Sequence, residues 1–287
     1  AGGTEVTSTA DTARAGLVGL EPAPGVAKPD PILTVHDVRR SFGGLVAVEV
    51  DRLEIQRGVV TALVGPNGAG KTTLFNLLTG FDSADQGHWV FDGENLAGRS
   101  SHSIARNGMV RTFQLTKVLS RMTVMENMKL GAGEQVGESI VQALVPGRWR
   151  RQDDAIEERA DELLGRFNMA HMRDEPAGTL SGGQRKLLEM ARALMAEPRL
   201  VMLDEPMAGV NPALTQSLLG HIMALRDEGL TVVFIEHDMD VVQEISDWVV
   251  CFSQGRVIAE GPPRVVARNP AVIDAYLGEH HGEAPSA

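Results

Sequence analysis

The stretch Val59-Val60-Thr61-Ala62-Leu63-Val64-Gly65-Pro66-Asn67-Gly68-Ala69-Gly70-Lys71-Thr72-Thr73 decides the fold of this chain. Val59 to Val64 is an apolar run of strand length. It stops at a glycine-rich octamer, Gly65 to Thr72, and Lys71 to Leu78 then reads as a helix. Strand, glycine-rich loop and helix is the setting in which the pattern Gly-x-x-x-x-Gly-Lys-Thr cradles phosphates. Gly65, Gly68 and Gly70 let the backbone curl so that its N–H groups point inward, and the helix that follows adds its positive end. Lys71 is placed to reach the β- and γ-phosphates, and the Thr72 hydroxyl to ligate magnesium. Asn67, Ala69 and Thr73 complete the nucleotide-lining set.

Working outward from this loop, a second apolar run, Leu200 to Leu203, ends in Asp204 and Glu205. Ligands of open α/β sheets lie at strand carboxyl ends. Asp204 is therefore the candidate to hold magnesium, and Glu205 the candidate to orient or deprotonate an attacking water. An Asp-Glu pair ending a strand is by itself an ordinary surface feature; the phosphate loop gives it meaning. Between the two lies Leu180-Ser181-Gly182-Gly183-Gln184. Ser181 followed by Gln184 predicts a helix capping box, and Leu187, Ala191, Leu194 and Met195 give that helix one buried stripe. A capped helix beginning with two glycines also offers exposed N–H groups to an anion.

The remaining pattern alternates. Strands are expected at Ile32–Val38, Val46–Val50, His88–Phe91, Met109–Phe113, Thr231–Ile235 and Trp248–Phe252. The region from about 115 to 180 is mostly helical in period, with Ile156, Ala160, Leu163, Leu164 and Phe167 on one stripe. Asn211-Pro212 starts a further helix: Asn caps and Pro suits the first position. Alternating strands and helices predict a parallel core sheet covered on both faces. Residues 1–30, rich in Ala, Gly, Thr and Pro, read as a flexible tail. Residues 262–287 read as a helical extension and tail. No internal repeat is visible, so one such unit is expected.

The chain has 287 residues, 43% hydrophobic and 23% charged, which predicts a packed globular core. No apolar run approaches the length of a membrane span, and residues 1–30 lack the basic start and apolar stretch of a secretory signal. A net charge of −11 and a pI near 5.2 argue against nucleic acid as a partner. Arg148-Trp149-Arg150-Arg151 is a local basic run that reads as a solvated loop. The single Cys251, within an apolar strand, reads as an inert core thiol. His280-His281 reads as exposed tail rather than a metal site.

Taken together, these motifs resemble the ATPase subunits of the ATP-binding cassette family across nearly all of residues 31–279. The resemblance implies an α/β fold: a RecA-like P-loop NTPase core with an antiparallel β subdomain and a helical subdomain inserted at about 115–195, the ATPase domain running over 31–261. It implies ATP and Mg²⁺ as ligands and ATP hydrolysis as the activity. It also assigns further residues. Gln114, in Arg111-Thr112-Phe113-Gln114, resembles the glutamine that senses magnesium or water and links to a transmembrane partner. His237, in Ile235-Glu236-His237-Asp238, resembles the switch histidine that contacts the γ-phosphate. Phe42 resembles the aromatic that stacks on adenine. Ala208-Gly209-Val210-Asn211 resembles the loop that touches an opposite subunit, with Asn211 where the family commonly has Asp. The Ser181–Gln184 segment would contact ATP held by that opposite subunit.

A narrower resemblance rests on Ser41 to Val48, Val110 to Gln114, the insert from about 131 to 160, Glu236 to Met239 and Ala275 to Glu279. These are similar to the ATPase subunit of a branched-chain amino acid importer; ATPases of urea or amide importers and of lipopolysaccharide export look similar at these positions. The implied partners are a second ATPase subunit (identical or paralogous), transmembrane permease subunits, and indirectly a substrate-binding protein. The implied location is the cytoplasmic face of the membrane. The rival class is a soluble cassette ATPase acting on ribosomes, DNA or an assembly complex. The single ATPase unit, the short insert and the acidic charge all weigh against it. An inactive regulatory cassette would predict damaged motifs, and small-molecule kinases lack the Ser181 segment.

Overall fold

The computed structural model describes residues 9–112, 118–133 and 148–279. Two sheets organise them. The first is antiparallel and contains β1 (Pro31–Phe42), β2 (Leu45–Gln56), β4 (Gln86–Phe91) and β5 (Glu94–Asn95), in the order β2-β1-β4-β5. The second contains β3 (Val60–Val64), β6 (Met109–Arg111), β7 (Leu200–Asp204), β8 (Thr231–Ile235), β9 (Trp248–Ser253) and β10 (Arg256–Gly261), in the order β10-β9-β3-β8-β7-β6. Its pairings are parallel except for edge strand β10, which runs antiparallel to β9.

Every residue of β3, β7 and β8 is buried. Alternate side chains serve two cores. Val60, Ala62, Val64, Val201, Leu203, Val232 and Phe234 face one cluster; Val59, Leu63, Leu200, Met202, Val233 and Ile235 face the other. A sheet buried on both faces explains why these strands read as unbroken apolar runs. The helices around it are α1 (Thr9–Ala15), α2 (Lys71–Leu78), α3 (Ser101–Arg106), α4 (Val124–Lys129), α5 (Arg148–Arg166), α6 (Gly182–Leu194), α7 (Pro212–Asp227), α8 (Met239–Ile245), α9 (Pro263–Val266) and α10 (Pro270–Glu279). The stripe expected on α5 is present: Ala160, Leu163, Leu164 and Phe167 are buried with α6 and α7 residues such as Leu188 and Leu218. Asn211 caps α7 by accepting from the Leu214 N–H at 3.0 Å, with Pro212 next to it. Among the described residues, no helix is long and apolar enough to cross a membrane.

Three expectations need correction. Residues 9–30 are not a loose tail. Ala10 and Leu17 are buried, and Arg14 bonds Asp227 and Asp247 from α1. Lys28 is buried against Glu260. Composition averages the segment's polarity and misses the few residues that anchor it. The core sheet is also not wholly parallel, because β10 returns directly from β9 across the turn at Gln254 and Gly255, both with positive φ. Arg148–Arg151 opens α5 instead of forming a loop; their side chains lie outside the described residues, as do His280 and His281. Cys251 is buried, and burial pushes its thiol up to about 12, consistent with an inert thiol.

Candidate nucleotide site

Strand order builds the site. β8 lies between β3 and β7, with Leu63 and Asp204 both paired to Ile235. The carboxyl ends of three neighbouring strands thus carry the phosphate loop, Glu236-His237, and Asp204-Glu205. This is the ligand edge of a parallel sheet.

The loop geometry needs its glycines for different reasons. At Gly65, φ is 142° and a Cβ would lie 2.0 Å from the Phe252 carbonyl oxygen; at Gly70, φ is 102° and a Cβ would lie 2.3 Å from the Ala47 oxygen. Gly68 also has positive φ but faces open space. Gly70 caps α2 without any side-chain bond to the first-turn N–H groups. Ala69 is buried, Asn67 and Thr72 are exposed, and Thr73 is half-buried. The Lys71 Nζ lies back over the loop and donates to the Gly65 and Pro66 carbonyls, the latter at 2.8 Å.

At the end of β7, Asp204 is 2% exposed. Its Oδ2 accepts from Arg111 Nη2 at 2.6 Å, while its Oδ1 is buried with no protein partner. The same guanidinium donates through Nη1 to Asn76 Oδ1 of α2 at 2.6 Å, so Arg111 fastens β7 to the helix that follows the phosphate loop. Glu205 is held in the left-handed region, φ 47°, by bonds on both sides. Its N–H donates to Ile235 O at 3.1 Å; its carbonyl accepts from Ala208 N at 3.1 Å and from Lys186 Nζ at 2.8 Å. Burial holds the Lys186 ammonium below its ordinary range. The orphaned Asp204 oxygen is a hard donor that suits Mg²⁺, which takes one or two carboxylates plus substrate phosphates rather than a full protein cage; the Thr72 hydroxyl, exposed at the start of α2, is of the same donor type. No cluster of three or more His, Cys, Asp or Glu that could hold a metal occurs among the described residues.

The capping box is formed: Ser181 Oγ accepts from Gln184 N at 3.3 Å and Gln184 Oε1 from Ser181 N at 2.8 Å. The two glycines differ. A Cβ on Gly182 would meet nothing, whereas one on Gly183 would lie 1.7 Å from Leu214 Cδ2. Gly183 therefore permits α7 to pack against α6, and Gly182 leaves the helix start open. His237 is 64% exposed at the side chain, beyond β8. Phe42 is 48% exposed at the end of β1, outside both cores, with the Arg40 guanidinium 4.6 Å from its ring centroid. Gln114 lies outside the described residues.

Arg111, Lys186 and Glu236 escaped the reading of the sequence. Arg111 did leave a signal, a lone charge at the end of the strand Met109-Val110-Arg111, which burial obliges to find a partner. Lys186 bonds a backbone carbonyl and Glu236 bonds backbone N–H groups, and such partners leave no trace in residue type.

The fold and this edge define a P-loop nucleotide-binding cassette. The family described as "ABC transporter" matches residues 48–208, and that described as "Branched-chain amino acid ATP-binding cassette transporter" matches residues 256–282. The chain belongs to the ABC transporter family. It is 43% identical over 251 residues to the high-affinity branched-chain amino acid transport ATP-binding protein BraF of Pseudomonas aeruginosa, covering 87% of this chain and 98% of that protein. It is 40% identical over 252 residues to the probable branched-chain amino acid transport ATP-binding protein LivG of Archaeoglobus fulgidus, covering 88% and 97%. A nucleotide-free crystal structure of an ATP-binding cassette from an ABC transporter superposes with a TM-score of 0.75 at 35% identity, over 86% of this chain and 98% of that one.

Proposed function

We propose that this chain is the ATP-binding and ATP-hydrolysing subunit of a membrane importer of branched-chain or related amino acids. The observation that carries the reading is the convergence at one sheet edge of the Gly65–Thr73 loop, a buried carboxylate with one oxygen unclaimed, and Glu205. The relatives, named as branched-chain amino acid transport ATP-binding proteins, support the cargo class.

In this reading the loop N–H groups and the α2 terminus receive the phosphates, and Lys71 turns from the loop carbonyls to them. Phe42 stacks on the adenine. Thr72 and Asp204, with Gln114, hold Mg²⁺, which when bound offsets charge on the phosphate oxygens. Glu205 takes the proton of the attacking water, and His237 contacts the γ-phosphate. A second ATPase subunit, identical or paralogous, presents its own Ser181–Gln184 segment across the nucleotide. ATP then favours the closed pair because it touches both halves, which is the differential contact a ligand-driven switch requires. Closure acts on permease subunits at the cytoplasmic face of the membrane, supplied with cargo by a substrate-binding protein.

The test is to tag the Glu205→Gln chain, trap it with ATP and Mg²⁺, and purify it from detergent-solubilised native membranes. Co-purification of polytopic membrane subunits is expected. Recovery only from the soluble fraction, with ribosomal, DNA-bound or assembly-factor partners, would replace this reading with that of a soluble cassette ATPase.

A further inference from the structure

Glu236 directly follows β8 and is 2% exposed. Its two oxygens are divided between two chain segments. Oε1 accepts from the Met207 N–H at 3.1 Å, and Oε2 accepts from the His237 N–H at 3.3 Å. Met207 belongs to the turn that leaves Glu205, closed by Ala208 N to Glu205 O and Val210 N to Met207 O, each at 3.1 Å. That turn runs into Asn211, the cap of α7. One buried carboxylate therefore ties the segment behind Glu205 to the segment that carries His237. The His237 ring is left outside this tie, its Nδ1 3.9 Å from Oε2 and its side chain largely exposed.

A buried carboxylate is a poor means of adding stability, since an apolar residue of similar volume avoids the desolvation cost. Burial, and to a lesser extent the charge of Glu205, pushes the Glu236 carboxyl up, so the position works against the ionised form that accepts both N–H groups. What the carboxylate offers, and no apolar side chain does, is two acceptors a fixed distance apart.

We propose that Glu236 is a positioning residue for ATP hydrolysis: it locks the 206–211 segment to His237 so that Glu205 and the histidine keep one relative placement during turnover. The proposal rests on the roles given above to Glu205 and His237. It also makes Glu236 a mechanical link from the loop that would touch an opposite subunit to the residue that would touch the γ-phosphate. A shift of Met207 cannot occur without either moving the His237 backbone or breaking a buried hydrogen bond.

The experiment compares the full chain with Glu236→Gln and Glu236→Met for ATP turnover, KM for ATP, and affinity for fluorescent ADP. Gln keeps one acceptor oxygen and sets a donor against the other N–H; Met fills the space and accepts neither. The expected result is a graded loss in kcat, about tenfold for Gln and larger for Met, with KM and ADP affinity within about twofold of wild type. Turnover near the wild-type rate in the Gln variant would overturn the proposal. So would loss of ADP binding in step with turnover in both variants, which marks a purely structural residue. A wild-type chain that neither hydrolyses ATP nor loses nucleotide affinity on Lys71→Ala would instead sink the functional reading on which the proposal rests.

Discussion

Two buried carboxylates in this molecule, Asp204 and Glu260, are alike in burial and opposite in bonding. Glu260, on edge strand β10, is 1% exposed. Its Oε1 accepts from Val26 N at 3.1 Å, and its Oε2 from Lys28 Nζ and Trp248 Nε1, both at 2.8 Å. The Lys28 ammonium also donates to the Val26 carbonyl and lies 4.3 Å from the centroid of the Trp248 ring. Both oxygens are in use, and the result is a clasp that holds residues 20–30 to the sheet. Asp204, at the ligand edge, has one oxygen taken by Arg111 and one left without a protein partner. Buried acceptors are nearly always satisfied, because leaving one unpaired costs free energy. The satisfied carboxylate is a fixture of the fold. The unsatisfied one, at the ligand edge, is the oxygen left free for the Mg²⁺ role proposed above.

If this contrast is sound, the two acids should fail in different ways. The largest effect is expected from Glu260→Gln, which strips the charge from Lys28's partner inside the protein. Denaturant unfolding should show a loss of roughly 3–5 kcal/mol, while turnover per folded molecule stays within about twofold. The double variant Lys28→Met with Glu260→Gln should recover part of that loss, since no unpaired ammonium remains buried. A Glu260→Gln chain of normal stability but poor turnover would break the comparison. The smaller effect is expected from Asp204→Asn, which can still accept from Arg111 through its amide oxygen. Turnover should fall about a hundredfold, equivalent to about 2.7 kcal/mol of barrier, and the Mg²⁺ concentration for half-maximal rate should rise. An Asp204→Asn chain with an unchanged Mg²⁺ dependence would show that the free oxygen has no role with the metal.

The same contrast explains what the sequence disclosed. The phosphate loop was legible because its signals are local: Gly65 and Gly70 are demanded by backbone shape and close approach, and they stand beside Lys71 on a strand-to-helix turn. Helix α2 and strand β8 fall where the pattern put them. The capping box at Ser181 was equally local. The clasp was not legible, because Lys28 and Glu260 are remote in sequence and the segment around Lys28 is poor in large apolar residues. Arg111 and Asp204 are likewise remote from each other. Glu236 could have been flagged only as an acid following the apolar run Thr231–Ile235, since its partners are backbone N–H groups. The two glycines of the Ser181 segment looked equivalent in the sequence; packing against Leu214 separates them.

The central claim is that Glu205 acts on water at the edge where Lys71 is proposed to hold the phosphates and Asp204 the Mg²⁺. Its most direct test is to measure ATP binding and ATP hydrolysis side by side for the wild-type and Glu205→Gln chains, with Mg²⁺ present. The account predicts an ATP affinity within about twofold of wild type and turnover reduced about a hundredfold or more, the range expected when a general base is removed. Hydrolysis at a near-normal rate by Glu205→Gln would contradict it.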